Sequence, residues 1–198
     1  MQKDKGFLIL RNKILLLVLS FCSITSTSQV KDSLIIWNKN YKLSWGDFLG
    51  DNLKIQNSED IVAISSLEII NVISYRNNKI YSYTVIPVFN RFNSSSINNS
   101  LKLLEHEQIH FDIQEIFARK IRKKFEKLKV SKANYQSHYN IFNSYIDSLD
   151  IYQERYDLAT DYSLLQNKQE YWGKIVAKKL RELDDYSVEN FYKIKEQH

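Results

Sequence analysis

Leu101-Lys102-Leu103-Leu104-Glu105-His106-Glu107-Gln108-Ile109-His110-Phe111-Asp112-Ile113 opens the most regular stretch of the chain. Leu103, Ile109, Ile113, Phe117 and Ile121 recur at mostly four-residue steps, which predicts a helix from Leu101 to about Leu128. The polar run 90–100 before it ends in Ser100, a residue suited to cap a helix. On that helix His106 and His110 lie one turn apart on one face. Two imidazole nitrogens so placed can fill two corners of a tetrahedral zinc site. Glu107 lies beside them and can reach a metal-bound water without holding the ion. Zinc acidifies such a water, and the carboxylate takes its proton as the oxygen attacks a carbonyl. The order His-Glu-x-x-His arises by chance in on the order of one chain in several hundred, so its surroundings matter. Other divalent ions also accept two histidines and a carboxylate, and zinc is the expectation from ligand type.

Downstream, a catalytic zinc needs a third protein ligand and an open fourth position. Six residues after His110 stands Ile116, not a histidine. The segment 153–161 offers Glu154, Asp157 and Asp161 at helical spacing, and His138 is a rival. For any one of these acids the commonest role is a solvated helix face, and for a lone histidine it is packing. Asp112 and Glu115 follow the motif on its own helix and could orient a ligand histidine. Tyr135, Phe142, Leu149 and Tyr156 repeat every seven residues, which predicts a second helix after Ser131 with a packed face. Were that stripe exposed instead, it would be a docking face of a helical interaction module. Trp172, Val176, Leu180 and Leu183 mark a third helix over about 164–183.

Upstream, residues 29–96 read as β-rich. Leu34 to Trp37 is a short apolar run, and Tyr41-Lys42-Leu43-Ser44-Trp45 alternates as a half-buried strand does. Residues 67–75 and 79–89 are rich in Ile, Val and Tyr. Asn77 and Asn78 between them tolerate positive φ, which predicts a hairpin. Pro87 cannot donate to a ladder, which places it on an edge strand or near a strand end. The fold class expected is α+β: a small antiparallel sheet (29–96) followed by a helical half (97–198), in one domain spanning 29–198.

The first 28 residues read as a signal peptide. Lys3, Lys5, Arg11 and Lys13 precede a short apolar stretch, Ile14 to Ile24, and Ser26-Thr27-Ser28 is a small-x-small cleavage site. The stretch is too short for a comfortable membrane span. Phe21 before Cys22 argues against lipoprotein anchoring. Cys22, the only cysteine, leaves with the segment, so the mature chain has no disulfide. The whole chain is +5. Removing four positive charges and Asp4 leaves it near +2, and no basic patch interleaved with aromatics appears. Nucleic-acid binding is therefore not expected. A peptide or protein substrate is, with secretion or a periplasmic location.

Leu104-Glu105-His106-Glu107-Gln108-Ile109-His110-Phe111-Asp112 with Ala118-Arg119-Lys120 resembles a bacterial family of formerly unknown function. Its members are described as predicted secreted zinc-dependent proteases. Leu43-Ser44-Trp45-Gly46-Asp47-Phe48 is similar to that family's Leu-Thr-Trp-x-Asp-Phe. Tyr156-Asp157-x-x-Thr160 and Gln169-x-x-Trp172 are similar to its Tyr-Asp-x-x-Thr-x-His-Gly and Gln-x-x-Trp. The likeness spans roughly residues 35–183. It departs where the family's His-Gly falls on Tyr162-Ser163, and Phe89-Asn90-Arg91-Phe92-Asn93-Ser94 lacks the family's Ser-Trp. The resemblance implies a zincin-like fold and a Zn2+ peptidase. Asp157, like the third ligand of aspzincin peptidases, would complete the set with His106 and His110. Glu107 would be the general base, and Tyr162 would donate to the developing oxyanion. Zincin-like peptidases also hold substrate along an edge strand, for which Tyr81 to Val88 is the expectation here. Because of the departures, a catalytically inactive envelope protein with a structural or lost metal is the alternative.

Overall fold

A computed structural model describes residues 33–52, 55, 62–128 and 130–190. Along them run β1 (Leu34–Ile36), a 3-10 turn (Trp45–Asp47), β2 (Ala63–Ile64), β3 (Leu67–Arg76) and β4 (Lys79–Asn90). A second 3-10 turn (Arg91–Asn93) and β5 (Ser95–Ser96) lead to α1 (Leu101–Glu126). After a short turn at Lys132–Asn134 come α2 (Tyr135–Thr160), α3 (Gln166–Glu182) and a last 3-10 turn, Asp184–Tyr186. The class is α+β, with small antiparallel sheets preceding the long helices. The expected signal segment, 1–28, lies outside the described residues. Among those residues no helix is long and apolar enough to cross a membrane.

The hairpin forms as its sequence predicts. Asn77 and Asn78 take φ of 50° and 59°, the paired left-handed residues of a turn whose twist suits two antiparallel strands. β1, β4 and β3 make one antiparallel sheet in that order, and β2 pairs with β5 in a second. Ile69, Ile73, Tyr83 and Val85 share one face of the larger sheet and join Ile113, Ile116, Phe117 and Ile121 in the main core. α1 thus packs on the sheet on one side and on α2 and α3 on the other. Phe142, Leu149 and Tyr156 of the heptad stripe are buried in that core, which removes the docking-face reading.

Three expectations are corrected. Tyr41–Trp45 is not a strand. The Asp47 carboxylate takes its place, with Oδ2 accepting from the Ser44 amide at 2.8 Å and hydroxyl at 2.9 Å, and Oδ1 from Tyr41 at 2.8 Å. A local acceptor competes with ladder pairing, and here it wins. Pro87 does not mark an edge strand, because β4 is the middle strand, with Pro87 opposite Ile69. Its carbonyl accepts from the Trp37 amide at 3.1 Å, so its missing donor falls on the β1 side, just past the end of β1, and costs no ladder bond. The expected substrate edge, Tyr81–Val88, is shorter than expected: β1 covers it at Val88, Trp37 meets the Pro87 carbonyl, and Arg122 Nε lies 3.0 Å from the Val85 carbonyl.

That arginine belongs to a buried charge cluster. Glu115 receives Arg122 through both oxygens at 3.1 Å and Arg119 Nε at 2.7 Å. The guanidiniums are completed by the carbonyls of Leu180 and Tyr186, each at 2.6 Å, and by Asp184 at 3.2 Å. Every charge in this cluster has partners, as burial requires.

Candidate metal centre

Ser100 starts α1 by accepting the Leu103 amide at 3.2 Å. Six residues later the helix presents His106, then His110, towards α2, whose last turn brings Asp157. His106 Nε2 and His110 Nε2 are 3.0 Å apart. Asp157 Oδ1 lies 3.0 Å from the first and 2.7 Å from the second. All three residues are buried. A tetrahedral zinc with ligands at about 2.0–2.1 Å has ligand–ligand edges of about 3.3–3.4 Å. The observed triangle is a slightly contracted version of such a face. Two imidazole nitrogens and a carboxylate oxygen are also a donor set that zinc accepts. The residues therefore fit a metal ion.

Their electrostatics agree. Burial opposes charge on His110, but the Asp157 carboxylate outweighs it and lifts the imidazole to about 9. Burial likewise opposes ionisation of Asp157, and the His110 charge and the two histidine hydrogen bonds override it and hold the acid at about 2. His106 is pushed down, by burial first and by His110 as well. Without an ion, one imidazolium supplies the positive charge that the carboxylate needs.

Residues around the triangle fix its geometry. Gln153 Oε1 lies 2.6 Å from His110 Nδ1, and its amide donates to the His110 carbonyl at 3.0 Å. With an amide oxygen as its neighbour, Nδ1 carries a proton, and Nε2, facing Asp157 and His106, is the ring atom that would bind a metal. The Tyr156 ring stacks on His106 at 4.6 Å and meets His110 edge-on at 4.9 Å. Burial, with the charges of Glu107 and Asp157, pushes the Tyr156 hydroxyl up, so it stays protonated. Glu107 is only 1 % exposed, and neither carboxylate oxygen has a hydrogen-bond partner among the described residues. Asp157 Oδ2 is equally unengaged. Buried polar atoms are normally paired, so these oxygens mark a place built for something else.

The other candidates fall elsewhere. Glu154 is exposed, and Asp161 caps the end of α2. His138 packs against Tyr83 at 3.9 Å and shares a hydrogen bond with the Asn134 carbonyl. Asp112 receives Trp37 and Gln108, and Glu115 is held by the arginines, so neither orients a ligand histidine through any of these bonds. Tyr162 follows α2 in left-handed backbone, its amide bonded to the Asp157 carbonyl at 2.9 Å. Its hydroxyl is pushed up by partial burial and by the Asp157 charge. Gln153 and Tyr156 are the contributors that sequence reasoning missed. Their spacing, four and one residues before Asp157 on the inward face of α2, is the signal that could have found them. Comparison with family models, with curated proteins and with solved structures returns no match to this chain.

Proposed function

We propose that this chain is an exported zinc metallohydrolase of zincin-like architecture, acting on peptide bonds. The observation that carries the reading is the triangle of His106, His110 and Asp157 beside a buried Glu107 whose oxygens have no hydrogen-bond partner among the described residues. A zinc ion held by those three residues would supply Lewis acidity, acidifying a water and polarising the scissile carbonyl. Gln153 orients His110, and Tyr156 holds both rings from one side. Glu107 takes the proton of the attacking water and passes it to the leaving amine. Its carboxylate is poised for that task because no hydrogen-bond donor among the described residues engages it. Tyr162, one residue beyond the α2 cap, is the further donor proposed for the oxyanion.

Metal analysis of the purified protein tests the ligands: about one zinc per chain, lost in His106→Ala and in Asp157→Ala. Glu107→Gln should keep its zinc and lower peptide turnover by roughly 10²–10⁴-fold. Undiminished cleavage by that variant would exclude Glu107 as the base. The burial of the whole group, with His110 the most exposed ligand at 4 %, favours a second reading in which the metal is structural. That reading is distinguished by stoichiometric zinc with no hydrolysis of a peptide library in wild type.

A further inference from the structure

On the other side of α1 from the ligands runs a groove of about 420 Å3, bounded by the first half of α1, the first two turns of α3 and residues 42–43. Leu104, Glu105, Gln108 and Ile109 line it; the helical repeat of about 100° per residue turns Leu104, Glu105 and Gln108 away from His106 and His110, with Ile109 on the flank between. Its size is that of a ligand site, and its floor, with Leu43, Leu104 and Ile109, is almost wholly apolar.

Three observations go beyond shape. Gly173 sits in the middle of α3, where glycine is destabilising relative to alanine. A Cβ there would meet only Ile109 Cδ1, at an ordinary 3.6 Å, so close packing does not demand glycine. What the missing side chain does is keep the groove deep. Gln169, 2 % exposed, donates to the Lys102 carbonyl at 2.9 Å, while its Oε1 has no partner among the described residues. At the rim stand exposed Glu105 and Glu170 and one cation, Lys42, which lies 3.6 Å from Asp112, so the acids outnumber it.

We propose that this groove binds an extended peptide segment in which a bulky apolar side chain is flanked by basic ones. The apolar side chain fills the space over Gly173. Glu105 and Glu170 meet the flanking cations, and Gln169 Oε1 accepts a peptide N–H. The site is separate from the metal centre and does not rest on its chemistry.

The test is a titration of the 15N-labelled full chain, in chelator, with acetyl-Lys-Leu-Phe-Leu-Lys-amide. The expected result is saturable shifts of the Gly173 amide and the Gln169 side-chain amide. Acetyl-Glu-Leu-Phe-Leu-Glu-amide should bind about tenfold more weakly. Gly173→Met should abolish binding of the basic peptide. Because that variant alters a helix interior, a Glu105→Lys/Glu170→Lys double variant supplies the second arm, and it should reverse the preference between the two peptides. No saturable shifts, equal affinity for the two peptides, or an unchanged preference in the double variant would overturn the proposal.

Discussion

Gln153 is the residue whose removal separates ligand orientation from ligand identity. It holds His110 at both the ring and the backbone carbonyl. Gln153→Ala should weaken zinc binding by about 10–100-fold without changing the ligand count, as measured by competition with a chromophoric chelator. Unchanged affinity would mean that packing by Tyr156 alone orients the ring. The His110–Asp157 pair also makes metal-free stability depend on pH. Asp157 is held below its ordinary 3.8, so its contribution is present above that value and lost as pH falls through about 2. His110 is held above its ordinary 6.5, so its contribution is full below that value and lost as pH rises through about 9. The metal-free protein should therefore show a thermal midpoint that declines between about pH 6.5 and 9. A flat profile across that range would sink the pairing. His106, Glu107 and His110 were legible in the sequence because helical spacing alone brings them to one turn. Spacing left Asp157 as one of several acids, and only the resemblance favoured it, since no local rule tells a buried acid from its solvated neighbours. Gln153 was invisible for a different reason: an amide becomes informative only when its partner, 43 residues away, is known.

The link between α2 and α3 shows how an element can carry strain. Asp161, Tyr162 and Ser163 all have positive φ, at 47°, 51° and 76°. Left-handed backbone costs a side-chain-bearing residue roughly 1–2 kcal/mol. Ser163 has the largest of the three angles, the region that glycine adopts without cost. Ser163→Gly should raise unfolding stability by about 1 kcal/mol, read as a higher denaturant midpoint with unchanged slope. A lower midpoint would mean that burial of the serine side chain outweighs the strain. The hairpin, by contrast, was readable in advance because two asparagines suit the same region of φ without a tertiary partner. The missed strand at Tyr41–Trp45 had correct alternation, and the fold still denied it a neighbour. An acid three residues beyond Ser44 closed the backbone on itself first.

At the scale of the molecule, α1 is the axis, and its two halves hold different buried charges. The first half carries His106, Glu107 and His110. The second carries Arg119 and Arg122 on Glu115, a cluster that neither composition nor periodicity revealed, because its helix reads equally well as a solvated charged face. Removing the shared carboxylate leaves the buried Arg122 guanidinium with no carboxylate partner among the described residues and Arg119 with only the exposed Asp184. Glu115→Ala should accordingly cost about 3–5 kcal/mol of stability by denaturant unfolding. A loss below 1 kcal/mol would show the cluster to be dispensable. The order in which these partners come into being matters as well. Arg119 and Arg122 lie on the first long helix, yet the carbonyls of Leu180 and Tyr186 and the Asp184 carboxylate that complete them lie near the end of the described chain. A ribosome must deliver more than sixty further residues before Arg122 can be satisfied. The cluster consequently cannot close until the segment through Tyr186 has been made, and this part of the core is completed only then.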